Sequence, residues 1–312
     1  MHGGTVKRAG GFSGQEAPTG WAPAILLVTS TYLIIGVLAF VAWGATGDVR
    51  WVEGFFRVPG AVLLVWLAAI EFWFCNRVRE SFSPDEPMHT AWTLIGVSAL
   101  FHLAGAIFAQ VLGLNGGPSP AGFSPGWSQG TAQRFREVGL ILGGTFRYAL
   151  LAAGLFWTLR VYWRSGIVRR LRAADWVLLA LAGAYLAREF AGVVAALRAG
   201  NHPVLFEVVR WPVDPLLCLL LAEGLLLHRS VQQMGSGWIS RCWGSMSMGI
   251  FLVLLGDLGI WLTSFGYLVW PWNSVIWYVW LPAASAFAVA PAYQLEAISS
   301  AQAPSVGAQP TD

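Results

Sequence analysis

The sequence predicts an all-α integral membrane protein, a bundle of about eight transmembrane helices with both termini in the cytoplasm. Three observations support this fold class. The 312 residues are 56% hydrophobic and only 11% charged, whereas soluble domains are about 25% charged. Eight apolar segments are spread evenly along the chain, and each is near the roughly 20 residues that a helix needs to cross the hydrocarbon core. Basic residues also divide unevenly between alternate connecting loops.

The eight segments are expected to be helices, because barrel strands would be shorter and would alternate between polar and apolar residues. In chain order, the predicted spans are Ala22–Gly44, Val58–Cys75, Ala91–Leu114, Val138–Tyr162, Trp176–Leu197, Pro203–His228, Cys242–Phe265 and Val275–Tyr293. Together they define one membrane domain, residues 22–293. A polar tail, residues 1–21, precedes it, and a flexible tail, residues 294–312, follows it.

The distribution of arginine and lysine predicts the orientation. With the amino terminus inside, eleven basic residues lie in inner segments and five in outer loops, as the positive-inside rule requires. The basic loop over residues 160–175 carries the largest share. Both termini are therefore expected to face the cytoplasm, and the protein is expected in the cell membrane. No basic patch with interleaved aromatic residues suits nucleic acid. The expected partners are the lipid bilayer and other subunits of a membrane complex.

Eight ionisable side chains fall inside the predicted spans. A charge in hydrocarbon costs about 3 kcal/mol or more and is rarely tolerated without a partner or a role. By helical rise, six of the eight share a zone from the midplane to the outer leaflet, with balanced signs. These candidates for ligand binding or charge pairing are Arg147, Arg188, Glu189, Arg210, Asp214 and Asp257. Glu71 and Glu223 lie further in, as candidates for a proton path or, equally, as protonated carboxyls that donate one hydrogen bond each.

The sequence VVRWPVDP, residues 208–215, is the strongest local signal. Arg210 and Asp214 are four residues apart, so they share one helix face and can pair. Pro212 and Pro215 each remove a backbone donor, and freed carbonyls beside a charge pair are typical of ion and substrate sites. In the alternative interpretation Arg210 extends to the outer surface, and the prolines only bend the helix.

His102 lies in the middle of the third span and is the candidate cofactor residue. A haem with two histidine ligands is disfavoured, because His228 is roughly 15 Å from His102 along the membrane normal by helical rise. A hydrogen-bonded interior histidine is the simpler interpretation. Cys75, Cys218 and Cys242 are far apart in the sequence and form no C-x-x-C pair, so neither a disulfide framework nor a zinc site is predicted. No metal and no resident cofactor is predicted.

These features favour a non-enzymatic ligand-binding module that acts in sensing or transport. A polar cavity between the fourth and seventh spans, open to the outer face, would hold a small polar or amphipathic ligand. The arginines would meet an anionic group, and the carboxylates would balance them or take a proton. Two alternatives stay open. A membrane subunit of a redox complex would contact a quinone near His102, and a purely structural subunit would use the charges as ties between helices.

Overall fold

The computed structural model describes residues 20–112, 129–168, 172–200, 212–233, 237–268 and 272–302. The part of the chain within these ranges is helical and contains no strand, as the sequence predicts. In chain order the elements are α1 (Trp21–Thr46), α2 (Arg50–Glu80), α3 (Pro87–Ala106), a first π-helix (Ile107–Leu112), α4 (Gln129–Leu140), a second π-helix (Ile141–Phe146), α5 (Arg147–Arg164), α6 (Ala173–Arg198), α7 (Val213–Gln232), α8 (Trp238–Ser264), a 3₁₀ turn (Trp272–Ile276) and α9 (Trp277–Gln302).

Six of the described helices are long and apolar enough to cross a membrane. They are Trp21–Thr46, Arg50–Glu80, Pro87–Ala109, Glu137–Arg164, Asp175–Ala195 and Trp238–Ile260. Each overlaps one predicted span. The two remaining predicted spans also coincide with helices. Part of the sixth, residues 203–211, lies outside the described residues and the rest lies in α7, whereas the eighth lies in the 3₁₀ turn and α9.

Six helices form a closed ring that encloses the interior of the protein. The helices α2, α3, α5, α7, α8 and α9 each pack against the next, and α9 closes the ring by packing against α2. Large side chains from several ring helices are fully buried, among them Phe74, Trp92, Trp243 and Phe287. The ring therefore shields its interior from lipid, and polar side chains that point inward can meet one another there.

The helices α1 and α6 lie outside this ring. α1 packs on α2 and α9, and α6 packs on α7. In the most apolar window of each helix, only 22% of α1 and 6% of α6 is buried. Leu27 on α1 and Trp176 and Phe190 on α6 are each more than half exposed. A helix that is apolar on nearly all sides suits a lipid environment, so these two helices are placed for contact with the bilayer.

Small residues mark the crossing between α3 and the helix that runs from α4 into α5. A Cβ atom added to Gly105 would lie 2.5 Å from the Cα of Gly143. Gly139 lies against the backbone of Ala109 in the same way. The two helices thus meet through pairs of small residues at four-residue spacing, which allows their backbones to approach closely. Both π-helices lie directly beside this crossing.

An ion pair fastens the start of α6 to α7. The Arg229 guanidinium donates two hydrogen bonds to the Asp175 carboxylate. Asp175 lies in the first turn of α6 and also accepts a hydrogen bond of 2.6 Å from the backbone N–H of Arg172. Asp175 is buried and the Arg229 side chain is 25% exposed. Because α6 packs mainly on α7, this pair anchors a helix that has few other contacts.

We expect Gly105→Ala to lower the free energy of unfolding by about 1–3 kcal/mol, because its new methyl group would overlap the backbone of Gly143. The matched control is Gly183→Ala on α6, where an added Cβ meets nothing within 4 Å. That variant should keep the wild-type stability or gain up to about 1 kcal/mol. Unfolding in detergent micelles measures both. Equal effects of the two variants would contradict the close crossing.

We expect Asp175→Asn to free the start of α6, because it removes the charge that holds Arg229. Since Arg229 is partly exposed, the loss in unfolding free energy should be about 1–2 kcal/mol. Amide hydrogen exchange should become faster in α6 and stay unchanged in the ring helices. The control is Arg50→Gln, which breaks an ion pair whose arginine side chain is 85% exposed. That change should alter stability by less than about 1 kcal/mol.

Candidate functional site

Three ionisable side chains from three ring helices meet inside the ring. Glu71 comes from α2, His102 from α3 and Arg147 from the first turn of α5, and all three are buried. The Nδ1 atom of His102 lies 2.6 Å from Oε2 of Glu71. The Nη2 atom of Arg147 lies 3.5 Å from the other carboxylate oxygen, Oε1. We call these residues the interior triad. Glu71 is its centre, because each of its oxygens faces a different partner.

The geometry defines the protonation pattern of the neutral form of His102. When Glu71 is ionised it only accepts hydrogen bonds, and the Nδ1 atom of His102 then carries the proton that it donates to Glu71. In a neutral imidazole, Nε2 is then the nitrogen without a proton. His102 also lines the pocket described below. Its ring is thus held on one side by Glu71 and can take up a proton on the other.

Arg147 has only part of its hydrogen-bonding capacity satisfied. Its Nε and Nη2 atoms are buried and have no hydrogen-bond partner among the described residues. The guanidinium carbon lies 4.3 Å from the ring centroid of Phe287 and 5.4 Å from that of Tyr148. Contact with aromatic faces stabilises a desolvated cation by about 2 kcal/mol, but it does not replace hydrogen bonds. The guanidinium is therefore held in place with donors still available.

A pocket of about 170 Å³ lies beside the triad. Residues of α2, α3, α4, α5, α7, α8, α9 and both π-helices line it, and His102, Arg147, Tyr148 and Asp257 supply its ionisable groups. Most of the remaining wall is apolar and includes Phe287. A binding site for a small molecule typically combines an apolar wall with a few polar groups that fix orientation. This pocket has that composition.

The two π-helices shape one side of the pocket. Ala109 from the first π-helix and Gly143 and Gly144 from the second line it. A π-helical turn contains one extra residue, and such turns occur frequently at functional sites. The second π-helix ends at Phe146, directly before Arg147. It therefore determines the direction in which the Arg147 side chain leaves its helix.

Asp257 places a carboxylate in the same pocket. It comes from α8, is half-buried and lies close enough to influence Tyr148 electrostatically. Asp214, at the start of α7, acts on Tyr148 more weakly. The pocket thus contains one guanidinium and one imidazole together with at least one carboxylate outside the triad. This arrangement combines charges of both signs around a small apolar volume.

The charged residues that the sequence predicts between the midplane and the outer leaflet lie in different parts of the structure. Arg147 and Asp257 line the pocket, whereas Arg188 is exposed and Glu189 is half-buried on α6. The sequence predicts a cavity between the fourth and seventh spans, but α6, which is the fifth span, contributes none of its described residues to the lining of this pocket. Arg210 and its expected pairing with Asp214 lie outside the described residues.

The two inner carboxylates are also separated. Glu71 contacts Arg147, although the sequence predicts that the two residues lie in different zones. The predicted span has 18 residues, whereas α2 has 31, so depth along the predicted span does not give the height of Glu71 in the bundle. Glu223 is buried on α7, and its Oε2 atom has no hydrogen-bond partner among the described residues. Glu223 does not line the pocket.

Several residues of the site were not identified from sequence. Tyr148 and Phe287, which flank the Arg147 guanidinium, carry no motif that distinguishes them from the other aromatic residues of the chain. Gly105 and Ala109 were recognisable in principle, because they repeat in the third predicted span the four-residue spacing of Gly139 and Gly143. Matching small-residue pairs on consecutive spans indicate a close crossing, and the pocket lies beside it.

Comparisons of the chain with protein-family models, with curated proteins and with solved structures find no match. Within the described ranges, no group of three or more His, Cys, Asp or Glu side chains is placed to hold a metal ion. All three cysteines are free thiols. The function must therefore be inferred from the triad and its pocket.

We expect Glu71 and Arg147 to show a large coupling energy in a double-mutant cycle. Glu71→Gln or Arg147→Gln alone leaves the opposite charge buried and should cost about 3–5 kcal/mol of stability. The double variant leaves no net charge at the two positions and should lose clearly less than the sum of the single losses. Unfolding of the four proteins in the same detergent gives the cycle. Additive losses would show that the two side chains do not stabilise each other.

Proposed function

We propose that this protein binds a small organic anion in the pocket beside Arg147 and acts in sensing or transport, without catalysing a reaction. One observation carries the proposal: Arg147 is a buried cation on the pocket wall, and its Nε and Nη2 atoms have no hydrogen-bond partner among the described residues. A planar guanidinium matches the geometry of a carboxylate and can bind it through two parallel hydrogen bonds. A ligand oxygen would accept hydrogen bonds that Nε does not make and that Nη2, which faces Glu71 at 3.5 Å, makes only through the ion pair.

The size and wall of the pocket limit the ligand. Its volume of about 170 Å³ is similar to that of an engineered protein cavity of about 150 Å³ that binds benzene. The wall is largely apolar, with Phe287 and the small residues of the helix crossing on it. We therefore infer a monoanion with a short apolar body, such as a short-chain or aromatic carboxylate.

We further propose that eight helices span the cell membrane and that both termini face the cytoplasm. Six described helices have the length and apolarity of a span. The helices α7 and α9 belong to the same ring as four of these spans, which favours a path through the same bilayer. An even number of spans puts both termini on one side, and the excess of arginine in the predicted inner segments favours the cytoplasm. The pocket would then lie toward the outer face.

A quinone site is the second candidate, and it is favoured by the presence of both His102 and Arg147 on the pocket wall. Arg147 could donate a hydrogen bond to a quinone carbonyl oxygen, and His102 could donate one from Nε2 when its ring is protonated. Organic extraction of the purified protein distinguishes the two ligands. A quinone recovered in stoichiometric amount from the wild type, and lost from Arg147→Gln, would favour a membrane subunit of a redox complex.

We expect butyrate and benzoate to bind the purified protein and raise its unfolding temperature. The uncharged amides butyramide and benzamide, which have nearly the same shape, should bind much more weakly because they cannot pair with the guanidinium. Hydrogen bonds to a charged group contribute about 1.5–3 kcal/mol, so loss of Arg147 should weaken carboxylate binding roughly 10- to 100-fold. Isothermal titration calorimetry measures the dissociation constants.

The control variants separate binding from folding. Glu71→Gln combined with Arg147→Gln removes the guanidinium without leaving a buried charge, so this double variant should fold and fail to bind. Arg188→Gln removes an exposed arginine from α6 and should bind as the wild type does. Equal binding of acids and amides, or full binding by the double variant, would overturn the proposal.

A further inference from the structure

With Glu71 ionised and His102 neutral, the charge of the interior triad is balanced. The Glu71 carboxylate carries one negative charge and the Arg147 guanidinium one positive charge, and His102 is neutral when only Nδ1 carries a proton. The contacts agree with this state, because one oxygen of Glu71 accepts from His102 and the other faces Arg147. Balanced charge is the condition under which buried ionisable groups are tolerated.

An anion bound at Arg147 would disturb this balance. Two negative charges, on the ligand and on Glu71, would then share one guanidinium inside the ring. An excess buried charge is strongly unfavourable unless a partner or a proton neutralises it. The triad therefore needs one additional positive charge when the ligand is present, and it does not need that charge when the ligand is absent.

We propose that binding of the monoanion is accompanied by uptake of one proton by the His102–Glu71 pair. The inference rests on the proposed anion site. The proton comes from water and forms an N–H bond at Nε2 of His102, while Nδ1 keeps its hydrogen bond to Glu71. The resulting imidazolium neutralises the added anion. When the ligand leaves, the proton returns to water, so ligand and proton bind and leave together.

His102 is the side chain best suited to this role among the ionisable groups around the triad. These neighbours are Cys75 on α2, Tyr148 on α5, Asp257 on α8 and Asp214 at the start of α7. Thiols and phenols are neutral at physiological pH and cannot take up a further proton. Imidazole changes its charge between about pH 5 and 8. The two aspartates are the remaining proton acceptors, and only Asp257 lines the pocket.

Coupling of this kind would make the protein respond to pH as well as to its ligand. Linkage requires that the affinity for a ligand that binds together with one proton falls as the pH rises. The fall is about tenfold for each pH unit in the range where the empty site has released the proton. In a transporter, the anion and the proton would cross together without net movement of charge. In a sensor, acidification would increase occupancy at constant ligand concentration.

Calorimetry of butyrate binding in two buffers tests the proposal directly. The wild-type protein is titrated at the same pH in phosphate and in Tris, which release different heats when they lose a proton. The difference between the two binding enthalpies gives the number of protons taken up, and we expect a value near one. The dissociation constant should rise about tenfold per pH unit above neutral pH. This measurement needs no variant.

Two variants locate the proton. Glu71→Gln removes the negative charge that competes for Arg147, so butyrate should bind with no proton uptake and with an affinity that varies less than about twofold between pH 6 and 8. Asp257→Asn is the matched control, since it neutralises the other carboxylate on the pocket wall. It should still take up one proton with each butyrate.

The possible results separate the two proposals. If butyrate binds with the same enthalpy in both buffers, the proposed proton uptake is wrong and the proposed anion site is unaffected. If butyrate does not bind at any pH between 5 and 8, the anion site is wrong and the coupling falls with it. If Asp257→Asn abolishes proton uptake while Glu71→Gln retains it, the proton resides on Asp257 and the assignment to the His102–Glu71 pair is overturned.

Discussion

The contact between the Glu71 carboxylate and the Arg147 guanidinium is the interaction on which the interior of this protein depends. Either group alone would be an uncompensated charge inside a helical ring, and together they allow a cation to stand beside an apolar pocket. His102 extends the contact by a hydrogen bond of 2.6 Å. Three helices that are far apart in the sequence are thereby joined through a single carboxylate.

The ring explains why such a contact can persist in a membrane. The ring helices pack side by side, so packed side chains separate the polar groups in the interior from the outer surface of the bundle. The close crossing at Gly105 and Gly143 brings α3 and α5 near enough for His102 and Arg147 to share one pocket. The aromatic ring of Phe287, which belongs to α9, lies against the guanidinium of Arg147. Packing between small residues thus positions the charged ones.

Apolar runs in the sequence located the helices well, but they did not identify the neighbours of each helix. The clearest run belongs to α1, which lies outside the ring, but α2 and α3 within the ring are more apolar than α6 outside it. The ring helices α7 and α9 are less apolar, because much of their surface meets protein. Arg147 and Arg188 look equivalent in the sequence, yet one is buried in the triad and the other is exposed on α6. The direction of a side chain around its helix axis depends on tertiary packing, which depth along a span does not reveal.

The second π-helix has a consequence for how the chain can vary in length. In an α-helix each residue adds about 100° of rotation, so the extra residue of a π-turn offsets everything that follows it. Regular α-helical winding of all six residues from Ile141 to Phe146 would swing Arg147 away from Glu71 by about that angle, whereas α-helical winding after loss of one of them would keep Arg147 in place. The winding of these six residues therefore determines the direction in which every side chain of α5 points around the helix axis. Their number matters as much as their identity.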